Sequence, residues 1–551
     1  MRILLTRTGD PWMDWGLVAF YHMARQHYRY MAACRLTAGW LDVELKPQIK
    51  TEEYGEIIFH YLRERLNDLI LPAVEMKVLG MDYRRPGSGG FNDPAYTISL
   101  TGQEKQRLKE ARLNAGAQVS VSLRRNYVGL KNDWLKLKDE LKTAVSNFLA
   151  QQGQAASSGD QCQLCGRNAP AKAYSDMRQN KNPFYNQHHN NRVRGYLSTV
   201  TTGTMCPTCN MLNIFAATHH NIPYFVEGQK MTHLLLPVVD DLAVLYKIFV
   251  NTSTRLLDLL DPQLTTYRTN IRDLRQPSLY QALIGVYFSI AHRYEPAEEE
   301  YREDPALAPG ERPALHRWVV LRFSKGQNVS FAHFNLLEVH HRLFDLVRGL
   351  DYGSAGDRRG NLYTTFFGAI TAGDHRLADE VARGIIFRDW SRVGRGLFAL
   401  LKESRAPGGR VRWNGRAWPF FEAFVDYAAG EVDHLLEPEL MEDLKVVGRT
   451  IGINFREDIA LLTRLNNAPD AGVLRGVLSE AFFKMYKRKA GSKKEGGADL
   501  LVPGEARVEN ILNNVTADNI EAVRDILLIY ACLSALRTQP AEKAENASKA
   551  E

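Results

Sequence analysis

Cysteine is scarce in this sequence, six in 551 residues, and that scarcity excludes a small disulfide-stapled scaffold. Long apolar runs are missing too. The nearest approach to the roughly 18 residues of a membrane span runs from His233 to Val250, and Asp240 and Asp241 interrupt it. The opening Met1-Arg-Ile-Leu-Leu-Thr-Arg is too short for a secretory apolar region, so a soluble, cytoplasmic protein is expected. No Gly-Lys dipeptide occurs, which excludes a standard phosphate loop. Gly-x-Ser-x-Gly and His-Glu-x-x-His are absent as well, removing the nucleophile elbow and the zincin helix. His340-His341 has no acid at zinc-protease spacing and reads as ordinary surface or core histidines. No internal repeat is visible. A one-sided charge is also lacking: 70 Lys and Arg stand against 63 Asp and Glu, a net +7, too small a surplus to identify a polyanion partner by itself.

Four of the six cysteines form two Cys-x2-Cys pairs, Cys162-Gln-Leu-Cys165 and Cys206-Pro-Thr-Cys209. Each pair is a tight turn that aims two thiolates at one point, and four thiolates make a tetrahedral structural zinc site. The 40 residues between the pairs exceed the roughly 15–20 of a compact ribbon, so the module carries a long inserted loop. Cys34 and Cys532 read as packed thiols.

The basic residues are unevenly spread. The inserted loop contains Arg178-Gln-Asn-Lys-Asn-Pro-Phe-Tyr-Asn-Gln-His-His-Asn-Asn-Arg-Val-Arg194 with no acid. Its Asn side chains (Asn182, Asn186, Asn190, Asn191) offer paired donors and acceptors to base edges. Arg178, Lys181, Arg192 and Arg194 suit phosphates, and Phe184 or Tyr185 could stack or wedge. A polar surface loop with anchoring aromatics is the rival reading. Between Arg383 and Arg416 nine basic residues face two acids, with Trp390, Trp413 and Trp418 interleaved. Arg388, Arg392, Arg395, Arg405, Arg410, Arg412 and Arg416 are the candidates there for tracking a strand, against a solvated basic face over core tryptophans. A third basic segment, Arg84-Arg-Pro-Gly-Ser-Gly-Gly-Phe-Asn-Asp, sets Arg84, Arg85 and Asn92 around glycines that allow close approach of a ligand; a surface turn is its simpler reading.

The hydrophobic pattern predicts an α+β, predominantly helical protein of four parts. Residues 1–150 form an N-terminal α+β domain. It opens with a strand at Ile3-Leu-Leu, a turn at Thr8-Gly-Asp-Pro, and a helix over 12–23 with Asp10 as N-cap and Pro11 in first position. A strand is expected over 36–45, a helix over 51–71, and further helices over 101–114 and 131–149. A polar linker at 151–159 leads into the zinc module, residues 151–230. Residues 231–436 read as a mainly helical middle domain with an acidic loop over 295–313, one strand over 315–323 and a Gly-rich loop at 351–361. Asp240-Asp241 reads as a solvated helix end. Residues 437–551 read as a helical bundle over 438–466, 471–489 and 505–537. A charged loop at 491–497 interrupts it, and a disordered tail follows residue 538.

Two of these features together resemble a known family. Thr8-Gly-Asp-Pro-Trp-Met-Asp-Trp-Gly16 resembles the Thr-Gly-Asn/Asp-Pro-aromatic-x-Asp-x-Gly opening of the CRISPR-associated CXXC-CXXC family, and the four cysteines are similar to its name-giving motif. Asp10 stands where Asn is frequent, and the middle region carries no matching motif. The resemblance implies the large, non-catalytic subunit of a type I-B Cascade complex, a crRNA-guided surveillance machine. Such a subunit sits beside the Cascade backbone subunits and recognises the protospacer-adjacent motif in target double-stranded DNA. It also aids R-loop formation, steadies the displaced strand and recruits the helicase-nuclease, while guide pairing reads the rest of the target. It further implies that the C-terminal bundle resembles the Cascade small subunit and is open to separate translation from Met441. Two other classes compete. His188, His189, Asn190 and Asn191 between the cysteine pairs are similar to a zinc-stapled HNH nuclease, although the usual Asp-His pair before a Pro is missing. A zinc-stabilised interaction protein without nucleic acid is the other.

Overall fold

The computed structural model describes residues 1–62, 65, 134–152, 160–169, 173–177, 182, 204–219, 222–227, 231–251, 278–291, 315–324, 330–344, 347, 375–405, 418–495 and 502–537. The chain divides into two compact units, Met1–Pro277 with Ser289–Glu338, and Ser278–Phe288 with Val339–Glu551. The fold is α+β and predominantly helical, with small antiparallel sheets.

In the first unit, strand β1 (Arg2–Thr6) alternates as a half-buried strand should: Ile3 and Leu5 are buried and Leu4 is 44% exposed. Helix α1 (Pro11–Gln26) begins as its sequence predicts, with Asp10 Oδ1 accepting from the backbone N–H of Trp12 at 2.8 Å and of Met13 at 3.2 Å. Trp12 to Tyr21 are buried without interruption, so α1 is a core helix enclosed on all sides. The single strand expected over 36–45 is instead a hairpin, β2 (Met31–Leu36) and β3 (Trp40–Leu45). Thr37 makes the turn: its N–H donates to the Trp40 carbonyl at 2.9 Å, and its Oγ1 accepts from the Trp40 N–H at 3.2 Å. The strand order is β1-β3-β2, all antiparallel.

Residues 51–62 are helical (α2), and α3 (Trp134–Gln152) runs two residues into the supposed linker. Two short ribbons follow, β4 (Asp160–Gln161) with β5 (Asn168–Ala169) and β6 (Ser175–Asp176) with β7 (Thr204–Met205), then helix α4 (Pro207–Thr218). Beyond them lies a four-stranded antiparallel sheet, of which the sequence pattern predicted one strand. It comprises β8 (Tyr224–Glu227), β9 (Met231–Pro237), β10 (Arg317–Ser324) and β11 (Ser330–Glu338), ordered β11-β10-β9-β8. The strand expected at 315–323 is β10, while β9 was hidden because a continuous apolar run fits a buried strand and a buried helix equally. Helix α5 (Leu242–Asn251) is capped by Asp241, whose Oδ1 accepts from the Ala243 N–H at 2.7 Å. Asp240 is 69% exposed, as the solvated helix end expected here, and pairs with Arg7 at 3.1 Å and Arg317 at 2.7 Å.

The second unit contains most of α6 (Leu279–Ala291), together with α7 (His375–Phe387), α8 (Trp390–Arg405), α9 (Trp418–Val425), a π-helix (Asp426–Val432), α10 (Pro438–Asn454), α11 (Ile459–Asn466), α12 (Ala471–Glu495), α13 (Glu505–Asn514) and α14 (Ile520–Arg537). Helix α14 forms its core: Ile526 to Leu533 are all buried. Helix α10 approaches it so closely that a Cβ on Gly452 would collide with the Ala531 carbonyl. Helix α12 continues through residues 491–495, where a loop was expected. Met441 is a buried residue of α10. Among the described residues no helix is long and apolar enough to cross a membrane.

Candidate metal centre and the residues around it

Cys162 and Cys165 sit in the turn between β4 and β5. The Gly166 N–H donates to the Cys162 carbonyl and the Cys162 N–H to the Arg167 carbonyl, both at 2.9 Å. Closing that turn needs a left-handed residue, and Gly166 supplies it at φ +71°. The second pair is built on a helix start: Cys206 is the N-cap of α4, Pro207 is its first residue, and Cys209 lies in its first turn. The Cys206 N–H donates to Cys162 Sγ at 3.2 Å.

The four Sγ atoms lie within 4.8 Å of one another, with Cys162 to Cys209 at 3.9 Å and Cys165 to Cys206 at 3.6 Å. A tetrahedron with metal–sulfur bonds of about 2.3 Å has edges of about 3.8 Å, so the thiol set fits one tetrahedral ion. The thiols compete for protons among themselves. Hydrogen bonding from Cys165 pulls the Cys162 thiol far below its ordinary value, whereas Cys162 and its neighbours push Cys209 far above. Four thiolates at this spacing need a cation to neutralise them.

The ligand turns are held from outside. Gln151 Oε1, at the end of α3, accepts from the Thr208 N–H at 2.9 Å and Oγ1 at 2.8 Å, satisfying an orphan donor of α4. Arg167 donates to the Leu4 carbonyl of β1 at 2.9 Å.

The Thr8–Gly16 motif proves to be a packing device built against this module. Asp14, buried in α1, accepts from the Thr8 N–H at 2.7 Å and the Gly9 N–H at 3.0 Å, closing the turn in which Gly9 has φ +78°. Gly16 faces α4, and a Cβ there would overlap the Leu212 carbonyl. Asn182, from the inserted loop, is fully buried and donates to Asp10 Oδ2 and to Asn213 Oδ1, each at 3.1 Å. Burial raises the carboxyls of both Asp10 and Asp14 above the ordinary range.

Asn182 therefore spends both amide donors inside the fold, which corrects the expectation that it presents them to base edges. In the Arg383–Arg416 stretch three arginines are likewise committed. Arg388 is buried and pairs with Asp433 at 3.0 Å. Arg392 pairs with Glu380 at 3.0 Å and Asp389 at 3.3 Å, and Arg405 reaches Glu457 at 3.2 Å and the Ala535 carbonyl at 3.1 Å. Arg395 is exposed, its Nε donating to the Ser391 carbonyl at 3.3 Å. Trp390 is a core residue whose Nε1 donates to Asp433 at 3.0 Å. Arg84, Arg85, Asn92, Arg178, Lys181, Asn186, His188, His189, Asn190, Asn191, Arg192, Arg194, Arg410, Arg412 and Arg416 lie outside the described residues. Sequence reasoning missed Asn213 and Gln151, and it gave Asp14, a position of the Thr8–Gly16 motif, no structural role. For Asp14 the signal was present, an acid on an otherwise apolar helix facing a glycine turn.

Neither the protein-family models nor the curated proteins searched contain a match to this chain.

Proposed function

We propose that this chain is the large subunit of a type I-B Cascade surveillance complex, and that Cys162, Cys165, Cys206 and Cys209 hold a structural zinc ion. The observation that carries the reading is the joining of its two diagnostic segments. The Thr8–Gly16 turn and the four-cysteine module meet through Asn182, Asp10 and the Gly16–Leu212 contact, so the two motifs make a single structural element. Zinc with four thiolates leaves no open coordination position, so the ion would staple the fold and would not itself activate water. The zinc fastens both ends of the inserted loop, and the loop's remaining Asn and Arg residues, including Asn190 and Asn191, read the protospacer-adjacent motif. Other basic segments follow the displaced strand, the Cascade backbone subunits and crRNA assemble beside it, and the helicase-nuclease docks on the assembled particle. A separate small subunit starting at Met441 belongs to the same proposal.

Binding of the assembled complex to duplexes with correct and altered adjacent motifs tests the assignment. Asn190→Ala with Asn191→Ala should abolish the preference for the correct motif. Unchanged binding to both duplexes would remove the loop from that role. Metal-dependent DNA cleavage lost in His188→Ala and His189→Ala would instead support the nuclease reading.

A further inference from the structure

The chain enters the second unit at Val339, and His340 and His341 follow at once. His340 is half-buried, and its backbone N–H donates to the Ile386 carbonyl at 3.2 Å, satisfying an orphan acceptor at the end of α7. Its ring Nδ1 lies 3.2 Å from the Arg342 backbone nitrogen. A backbone N–H can only donate, so Nδ1 accepts and carries no proton. The His341 ring is stacked on the first at 4.6 Å.

The groups facing His340 oppose a second proton on its ring. They are Arg388 from the end of α7, Asp433 from the end of the π-helix, and Arg342 and His341 on its own segment. Two guanidinium groups thus stand against one carboxylate, and that carboxylate is already engaged by Arg388 at 3.0 Å and by Trp390 Nε1 at 3.0 Å. A helix C-terminus favours a nearby cation, but Arg388 fills that place with a side chain only 5% exposed. Burial first, then Arg388 and His341, hold the His340 ring below the usual imidazole range. Both ends of the ion pair are also strained. Arg388 at φ +57° and His434, beside Asp433, at φ +47° are the only left-handed residues other than glycine among those described.

We propose that His340 is a proton-operated latch: neutral, it ties residues 340–342 to the end of α7, and protonation at Nδ1 releases them. The added proton removes the acceptor of the Arg342 N–H and sets a new cation beside Arg388 and Arg342. The folded chain takes that proton less readily than the unfolded chain. The latch's contribution to stability is therefore fully present above about pH 6.5, the unfolded value, and is lost as the pH falls through the folded value. The device lies within the second unit and is independent of the surveillance-complex reading.

The test is hydrogen exchange of the full chain, purified without guide RNA, from pH 8 to pH 5, each rate expressed against the unstructured rate at the same pH. Protection of the peptide covering 339–344 should fall by more than about twofold beyond any change in the core helix α14. His340→Asn supplies an Oδ1 acceptor that does not titrate, so its peptide should keep its protection. The thermal midpoint of wild type should also fall relative to His340→Asn over this range. Wild-type protection that stays within about twofold would overturn the latch, and this measurement needs no variant. An equal loss in His340→Asn, or a wild type that gains stability relative to it on acidification, would overturn it too.

Discussion

Asn182 donates to the Asp10 carboxylate at 3.1 Å, joining the loop between the cysteine pairs to the N-cap of the first helix. Asp10 is thereby shared by α1, whose first N–H groups it accepts, and by the inserted loop. Together with the Gly16–Leu212 contact, it ties the metal module to the N-terminal motif.

Asn182→Ala removes the hydrogen bonds to Asp10 Oδ2 and Asn213 Oδ1. A loss of about 1–3 kcal/mol is expected, set by two hydrogen bonds removed from inside the fold. Urea unfolding followed by the fluorescence of Trp12 and Trp15 would report it, and a loss under about 0.5 kcal/mol would show that the contact is dispensable.

Gly16→Ala places a methyl group against the Leu212 carbonyl, where the two helix backbones meet. Overpacking of this kind costs about 1–3 kcal/mol. Since α4 carries Cys206 and Cys209, zinc affinity measured by competition with a chromophoric chelator should fall as well. Unchanged affinity with lowered stability would mean that α1 does not support the metal turns.

Cys206→Ser should reduce bound zinc from one ion per chain to none in elemental analysis. The thermal midpoint should fall by on the order of 10 °C, because binding energy of a structural ion is folding energy. A chelator should do the same to wild type and nothing further to the variant.

Arg388→Ala should destabilise the second unit by about 1–3 kcal/mol, since the Asp433 carboxylate loses its ion pair and keeps the hydrogen bond from Trp390 Nε1. Arg388→Met with Asp433→Leu should recover most of that loss. The salt dependence of nucleic-acid binding should not change in either variant, since the Arg388 guanidinium is buried beside Asp433.

The pH dependence at Asp10 has a defined sign. Its carboxyl is held above the ordinary value, chiefly by burial, so the folded state binds a proton more readily than the unfolded chain. That contribution is fully present below about pH 4, the unfolded value, and is lost as the pH rises through the folded value. Asp10→Asn keeps a capping side chain and removes the titration. Wild type should therefore gain stability relative to Asp10→Asn as the pH falls from 7 towards 4; a difference independent of pH would refute the assignment.

Much of this was legible in the chain itself, and the failures have common causes. The first strand, the Asp10–Pro11 helix start, the cysteine pairs and the C-terminal helices follow from local chemistry, so reading along the sequence finds them. The β2–β3 turn escaped because Thr37-Ala-Gly-Trp40 carries a single glycine inside an apolar run, and it is Thr37 that closes the turn with its own hydroxyl. Strand β9 escaped because Met231-Thr-His-Leu-Leu-Leu-Pro is apolar without a decisive period. Asn182 and Arg388 were misassigned for one reason: a polar residue advertises its chemistry locally, while Asp10, Asn213 and Asp433, which consume it, lie far away in the chain. The aromatic content of the basic stretch misled in the same way, as Trp390 is turned inward onto Asp433.

The most direct test of the proposed function is to purify tagged protein from its native host and identify the RNA and proteins that accompany it. The expected result is a discrete crRNA together with Cascade backbone subunits and one zinc ion per chain. Protein that arrives alone, with zinc but without RNA, would contradict the large-subunit reading.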